Sequence, residues 1–220
     1  VAIFPDKALE AAVRKQVFAK RDNQEVITAE DVATVSIIEG KKAGIKDLTG
    51  LEKCKSLASL TLPENQITNL APIKGLERLQ FLDVSNNQIS DITPLAACKA
   101  LQYIELTGNK VTDVSALGGI QSLTSLYLAN NQIKDATALF KLPKVWTLYL
   151  EGNQVSNIAG IGGMKWLVNV GDEMDQEAQG LGPRLATRPA IAIRNSPVTE
   201  QVSCASQPTA GATRSAPIGG

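Results

Sequence analysis

The chain has 220 residues, of which 44% are hydrophobic but only 4% aromatic, and it contains no histidine. Without histidine it lacks the commonest general base and the commonest zinc ligand, so most hydrolase and metalloenzyme classes are disfavoured. Its 22 Lys and Arg residues balance 22 Asp and Glu residues, which leaves no summed positive field to attract nucleic acid. No stretch approaches the roughly 18 apolar residues of a membrane-spanning helix, and we expect no membrane insertion.

Two helical segments are predicted at the start of the chain. Residues 4–21 have the spacing of an amphipathic helix that begins at Pro5 and Asp6, with apolar residues recurring every fourth position. Farther on, Thr28 is followed three residues later by Asp31, which resembles a capping box at the start of a second helical turn. We expect this helical pair to cover the apolar face of the segment that follows.

A period of 22 residues then runs through the sequence. The block that starts at Leu79 reads LQFLDVSNNQISDITPLAACKA, and its apolar positions recur in the other blocks. The five regular blocks begin at Leu57, Leu79, Leu101, Leu123 and Val145. An earlier block from Val35 keeps the apolar register but has Gly40 and Ala43 where Leu and Asn are expected, so we interpret it as a degenerate first repeat.

Each column of the repeat indicates a structural role. The first, fourth and sixth residues of a block are spaced for the inward side of a short strand, and we expect the strands to stack in parallel. A column able to hydrogen-bond the backbone of neighbouring coils consists of Asn65, Asn87, Asn109, Asn131 and Asn153. A second column consists of Asp47, Asn69, Asp91, Asp113, Asp135 and Asn157. Side chains of this kind can cap a short helical turn, and the alternative is that they bind calcium.

The three cysteines form no CxxC pair. Cys54 and Cys98 occupy an apolar column that elsewhere holds Leu76 and Ile120, so we expect both in the core. Two coils separate them, and at about 4.8 Å per coil their Cα atoms would lie about 10 Å apart, too far for a disulfide. Cys204 lies beyond the repeats and is expected to be an incidental free thiol.

The sequence predicts three segments. Residues 1–34 form a helical N-terminal cap, residues 35–166 form six repeats of which the first is degenerate, and residues 167–220 form an irregular, largely disordered tail. We expect Trp166 to close the last coil, and the apolar residues 189–193 are a candidate for folding back over it. The lack of an initiator Met fits a mature exported form, and it fits a trimmed chain equally well.

The repeat resembles a known family. The motifs SDITPL at residues 90–95 and TNLAPI at residues 68–73 resemble the internalin-type bacterial leucine-rich repeat, and FPDKALEAAVRKQV at residues 4–17 resembles its N-terminal cap. The resemblance implies an α/β fold: a right-handed leucine-rich repeat solenoid with a curved parallel β-sheet on the concave face and short 3-10 or helical turns on the convex face. It also implies a secreted or cell-surface bacterial protein that binds other proteins.

Residues between the inward positions of each strand face the hollow of the predicted solenoid. Core packing does not require aromatic side chains there, and four rings flanked by carboxylates would suit a peptide or protein ligand. The candidate ligand-binding residues on this concave face are Phe81, Asp83, Tyr103, Glu105, Tyr127, Trp146, Tyr149 and Glu151. The alternative is that the rings stabilise the sheet itself, because strands favour aromatic residues that stack on one another across strands.

We therefore expect a non-catalytic, monomeric protein-binding module that uses no cofactor and is exported to bind a protein ligand. The alternative is an intracellular regulatory subunit that binds an enzyme such as a protein phosphatase, although the Glu-Asn or Glu-Gly dipeptide usual in such repeats is missing. An enzyme is the third class considered, because Asp83 and Glu105 fall on adjacent predicted strands at the spacing of a retaining glycosidase pair. An open sheet offers no pocket for a sugar, so we expect no enzymatic activity.

Overall fold

The computed structural model describes residues 3–158, 160–165 and 167. Within these residues two α-helices precede six short strands that alternate with six 3-10 helices. The α-helices are α1 (Lys7–Arg14) and α2 (Ala29–Val32). The strands are β1 (Ile37–Glu39), β2 (Ser59–Thr61), β3 (Phe81–Asp83), β4 (Tyr103–Glu105), β5 (Ser125–Tyr127) and β6 (Thr147–Tyr149). The 3-10 helices are η1 (Leu51–Lys53), η2 (Ala71–Ile73), η3 (Thr93–Ala97), η4 (Ser115–Gly119), η5 (Leu139–Lys141) and η6 (Ile161–Gly163).

The six strands form one parallel sheet in the order of the chain. Each residue pairs with the residue 22 positions later, so that Ile38, Leu60 and Leu82 follow one another across the sheet. The middle residue of every strand is buried, since alternate side chains of a strand point to opposite faces. The predicted leucine-rich repeat solenoid, with a parallel sheet on one side and 3-10 turns on the other, is confirmed.

The asparagine column joins consecutive coils, as predicted. Each of these side chains is buried and lies against the backbone of the preceding coil. In the second regular block, Asn87 Oδ1 accepts from the N–H of Ile67 at 2.9 Å, and its Nδ2 donates to the Leu62 carbonyl at 3.0 Å. The same bonds recur at intervals of 22 residues, so the column forms a continuous ladder.

Two aspartates of the second column cap 3-10 helices. Asp91 Oδ1 accepts from the N–H of Thr93 at 2.8 Å, and Asp113 Oδ1 accepts from Ser115 at the same distance, so each satisfies the first N–H of a 3-10 helix. Hydrogen bonds from the Thr93 side chain and backbone hold the pKa of Asp91 below its ordinary value. The capping interpretation is therefore confirmed for these positions. Among the described residues, no three His, Cys, Asp or Glu side chains are grouped so that they could hold a metal ion.

The first predicted helix is shorter than expected. Helix α1 spans only Lys7–Arg14, not residues 4–21. It starts there because Asp6 Oδ1 accepts from the N–H groups of Ala8 and Leu9 and so caps the first turn. It ends there because the chain turns back on itself: the Arg14 guanidinium donates to the carbonyl oxygens of residues 20, 23 and 25. The capping box that starts α2 at Thr28 is confirmed.

The carboxylate of Asp6 also attaches α1 to the repeats. Its second oxygen accepts from the backbone N–H of Lys46 at 2.7 Å and of Asp47 at 3.0 Å, in the loop of the first coil. Partial burial raises the pKa of Asp6, but hydrogen bonds from four backbone N–H groups together lower it by more. The pKa of Asp6 is therefore below its ordinary value of 3.8. The ionised form of this side chain thus favours the docked cap.

Cys54 and Cys98 lie in the core as predicted, and both are free thiols. Several predictions lie outside the described residues: the disorder of the tail, the fold-back of residues 189–193, the closing role of Trp166 and the state of Cys204. Of the tail, only Leu167 is described, and it packs against the core. In the described part of the chain, no helix combines the length and the apolar character needed to cross a membrane.

Candidate functional site

The first and third residues of each strand point away from the core, so the 22-residue period brings equivalent side chains side by side. Phe81 and Tyr103 are register partners on β3 and β4, and Tyr127 and Tyr149 are register partners on β5 and β6. Both predicted pairs are therefore present. We call Phe81, Tyr103, Tyr127 and Tyr149 together the aromatic strip.

The aromatic strip is one continuous stack. The ring centroids of Phe81 and Tyr103 lie 4.3 Å apart with an interplanar angle of 9°, and those of Tyr127 and Tyr149 lie 4.9 Å apart at 12°. A diagonal contact between Tyr103 and Tyr127, 5.1 Å at 38°, joins the two pairs. Such spacing gives each ring favourable contact with its neighbour beyond simple burial. The strip therefore links four adjacent strands through ring contacts.

The rings are less exposed than the sequence suggested. Phe81, Tyr103 and Tyr127 are half-buried because each covers part of the next, and Tyr149 is only 5% exposed. The expectation that all four rings stand at exposed places is wrong for Tyr149. Trp146 is 52% exposed, at the edge of β6, and its Nε1 donates to the Ser125 hydroxyl at 3.0 Å. The indole is thus oriented by a hydrogen bond while most of its ring surface faces solvent.

The predicted carboxylates stand beside the rings. Asp83 and Glu105 are register partners on β3 and β4, each two residues after a ring of the aromatic strip. Asp83 Oδ1 accepts from the Ser85 N–H and hydroxyl at 3.0 and 2.8 Å, and Glu105 Oε1 accepts from the Thr107 N–H at 2.8 Å. Backbone contacts of this kind fix the direction of a carboxylate. Two such anchored groups on an open sheet are suited to pairing with cations on a ligand.

Glu151 follows β6 by two residues and is half-buried. It places a third carboxylate beside the last strand. The structure thus brings all eight predicted residues onto one face of β3 to β6 or directly beside it.

Sequence reasoning missed the part of the same face that β1 contributes. Ile37 is 46% exposed and Glu39 is exposed, and both extend the outward columns by register pairing with β2. Lys41, two residues farther on, forms an ion pair with Glu64 at 2.9 Å. The signal was present, because Ile37 and Glu39 occupy the third and fifth positions of the block from Val35.

A protein-family model that describes two consecutive leucine-rich repeats matches the chain in two places, residues 77–119 and residues 121–163. No curated protein matches it. Among solved structures, an internalin (inlF) from Listeria monocytogenes has a TM-score of 0.63 and 24% identity, covering 75% of this chain. The chain spans only 55% of that internalin's length.

Two further solved structures are similar. Internalin C2 from the same organism has a TM-score of 0.44 and 26% identity, covering 77% of this chain and 94% of its own. The leucine-rich repeat ectodomain of a plant membrane receptor kinase, GASSHO1/SCHENGEN3 from Arabidopsis thaliana, has a TM-score of 0.51 and 27% identity. That match covers 56% of this chain and 16% of the receptor, which was solved in complex with CASPARIAN STRIP INTEGRITY FACTOR 2.

Proposed function

We propose that this chain is an exported bacterial leucine-rich repeat protein that binds a protein ligand on its concave sheet. A leucine-rich repeat model matches residues 77–119 and 121–163, the fold is similar to that of an internalin, and such repeats form protein-interaction modules. The observation that carries the proposal is the aromatic strip with its anchored carboxylates on the outward face of β3 to β6. Aromatic side chains that lose little conformational entropy on binding are enriched at the centres of protein interfaces.

The composition of the face favours a protein ligand over a small molecule. The sheet is open and its outward side chains are spread over six strands, whereas small-molecule sites are concave pockets that bury most of the ligand. Stacked rings in the middle with polar and charged side chains around them match the arrangement of a protein interface, where an apolar centre is surrounded by a polar rim. Trp146 adds a large exposed ring at one edge.

Export is the second part of the proposal. The similar plant structure is the ectodomain of a membrane receptor, which places the same repeat architecture outside a cell in at least that protein. Cys54 and Cys98 are buried and free, so the described coils do not depend on a disulfide in either redox environment. A secretion signal in the complete gene, followed by recovery of the protein in the culture medium or on the cell surface, would support export. Recovery in the cytoplasm alone would contradict it.

The binding face is tested with the full chain as bait. Tyr103→Ala combined with Tyr127→Ala removes the middle of the aromatic strip, and Glu77→Ala combined with Arg78→Ala changes two exposed residues on the turn after η2. Proteins retained from host-cell surface extracts are quantified by mass spectrometry for the three baits. We expect a ligand retained by the native chain and the Glu77/Arg78 variant but lost from the tyrosine variant, with melting temperatures of all three recorded. Equal retention by all three baits, or no retained protein, would contradict the proposal.

A further inference from the structure

One flank of the solenoid concentrates positive charge. The stretches around the ends of the 3-10 helices are equivalent parts of the six coils: residues 51–56, 73–78, 95–100, 117–122, 139–144 and 161–165. They contain eight Lys or Arg residues, which we call the basic ridge: Lys53, Lys55, Lys74, Arg78, Lys99, Lys141, Lys144 and Lys165. The acidic residues of these stretches are Glu52 and Glu77. The described residues as a whole carry 18 Lys and Arg against 17 Asp and Glu, so the ridge is a local excess of positive charge.

The basic ridge forms a row because the coils stack in register. Each strand residue pairs with the residue 22 positions later, and consecutive 3-10 helices contact each other. Hydrogen bonds also join neighbouring stretches directly. The Ser122 hydroxyl donates to the Lys99 carbonyl at 2.7 Å, and Lys99 Nζ donates to the Gly119 carbonyl at 3.3 Å. With about 4.8 Å between coils, the row extends over about 24 Å.

The ridge cations have no carboxylate partner among the described residues. The five ion pairs in this part of the chain are formed by Lys7, Arg14, Lys20, Arg21 and Lys41, none of which belongs to the ridge. All eight ridge residues are exposed. Of the two nearby carboxylates, Glu52 is directed to the backbone, because its Oε2 accepts from the Gly50 N–H at 2.8 Å. The charge of the ridge is therefore presented to solvent.

The residues around the cations indicate what kind of partner fits. In these stretches the large apolar residues are buried, and so is their aromatic residue, Phe140. A bilayer would therefore gain no inserted apolar side chain, and a nucleic acid strand would find no ring there on which to stack its bases. Seven of the eight cations are lysines, which act as point charges rather than as planar forks that bind phosphate in a bidentate manner. Charge without stacking or insertion favours a hydrophilic polymer that carries anionic groups along its length.

We propose that the basic ridge binds a linear sulfated polysaccharide, which lies along the row so that successive sulfates contact lysines of successive coils. Each exposed contact is weak on its own, so binding depends on several contacts together and weakens as salt is added. The aromatic strip takes no part in it. The inference therefore goes beyond the proposed function, and either can fail without the other.

Heparin serves as the probe in a binding experiment with the full chain. Lys55→Gln, Lys99→Gln, Lys141→Gln and Lys144→Gln together make the ridge variant. The control variant combines Lys15→Gln, Lys46→Gln, Lys110→Gln and Lys134→Gln, four exposed lysines outside the ridge, so it loses the same charge. Binding of a fluorescently labelled heparin fragment is followed by anisotropy at several salt concentrations, and circular dichroism verifies that each variant is folded.

We expect the native chain to bind heparin and the control variant to bind it within about twofold of the native affinity, since its altered charges lie away from the ridge. The ridge variant should bind at least about tenfold more weakly, with a shallower dependence on salt. Arginine substitutions at the same four ridge positions keep the charge and should restore binding. Tyr103→Ala with Tyr127→Ala should leave heparin binding unchanged, which separates the ridge from the concave face.

Equal losses in the ridge and control variants would overturn the proposal, because net charge rather than the ridge would then explain the binding. A native chain that does not bind heparin at low salt would overturn it as well. Single-stranded DNA and phosphatidylserine vesicles are measured in the same way. If either bound more tightly than heparin through the ridge lysines, the ridge would be assigned to nucleic acid or to a membrane surface instead, and the sulfated polysaccharide would be ruled out.

Discussion

One asparagine in each regular repeat connects its coil to the coil before it. Asn109 donates through Nδ2 to the carbonyl oxygens of Leu106 and Val84, at 2.9 and 3.0 Å. Its Oδ1 accepts from the backbone N–H of Ile89 at 3.0 Å. These bonds are buried, so water cannot replace them when the side chain is removed.

We predict that Asn109→Ala lowers the free energy of unfolding by about 3 kcal/mol, because one buried donor and two buried acceptors lose their partner. Gln66→Ala removes an amide at an exposed position and is the matched control, with an expected change below about 0.5 kcal/mol. Urea denaturation followed by circular dichroism measures both variants. Equal losses would show that the amide of Asn109 is not what joins the coils.

The asparagine ladder could be predicted from the sequence, whereas the contacts of Arg14 with backbone carbonyl oxygens could not. A polar residue that recurs at one position between apolar residues has mainly the backbone of neighbouring coils to bond. Arg14 lies outside the repeats; besides the carboxylate of Glu10 one helical turn earlier, its acceptors are three backbone carbonyl oxygens, those of Lys20, Asn23 and Glu25. Their positions depend on how the turns between α1 and α2 fold, and no spacing rule in the sequence encodes that.

Among the elements, the cap helix and the degenerate first repeat fit each other. Gly40 stands where the regular blocks have an inward Leu or Val, and a Cβ built there would lie 3.3 Å from the Cβ of Ala12 on α1. It would also lie 3.0 Å from side-chain carbons of Ile45 and Leu62. The missing side chain therefore makes room for α1 to approach the sheet. The sequence showed a departure from the repeat, but only the packing of α1 explains it.

A second glycine, Gly50, allows the first described residues to pack closely against the same coil. Gly50 is buried with a φ of 105°, and a Cβ there would lie 2.5 Å from both the carbonyl oxygen of Ile3 and the ring of Phe4. Gly75 also has a positive φ, 81°, but a Cβ there would meet nothing within 4 Å. A side chain at either position would strain the backbone, but only a side chain at Gly50 would also clash with neighbouring atoms.

We predict that Gly50→Ala destabilises the protein more than Gly75→Ala does. Both variants place alanine in the left-handed region, at a cost of about 1 kcal/mol. Only Gly50→Ala also displaces Phe4 from the core, which adds about 1–3 kcal/mol. Thermal unfolding measures the difference, and hydrogen exchange in α1 reports whether the cap loosens. If both variants melted at the same temperature, the N-terminal segment would not depend on close contact with Gly50.

At the scale of the whole molecule, one ring contact of the aromatic strip depends on the twist of the sheet and could not be predicted from the sequence. Equivalent positions predicted the pairs Phe81 with Tyr103 and Tyr127 with Tyr149, because the period alone places them on adjacent strands. The contact between Tyr103 and Tyr127 is diagonal across the columns. It depends on the rotation between neighbouring strands and on side-chain rotamers, neither of which the period specifies. The continuous strip is therefore a property of the assembled solenoid.

A single hydrophobic core runs from the N-terminal cap to the last described coil, from Phe4 to Met164. Cys54 and Cys98 both lie in it, two coils apart and fully buried. Burial raises the pKa of the Cys54 thiol to about 12 and raises that of Cys98 above its ordinary value. A thiol reagent therefore reacts with either cysteine only when the surrounding coils open.

We predict that the two thiols become reactive at the same urea concentration in a chain that carries Cys204→Ser. Neighbouring repeats stabilise each other through shared interfaces, so opening one coil removes packing from the next and the solenoid unfolds as a unit. Adding Cys54→Ala or Cys98→Ala to that chain assigns the reaction of each remaining thiol to a single coil. Two separate transitions would mean that coils open one at a time, and the cap would then stabilise only the coil it contacts.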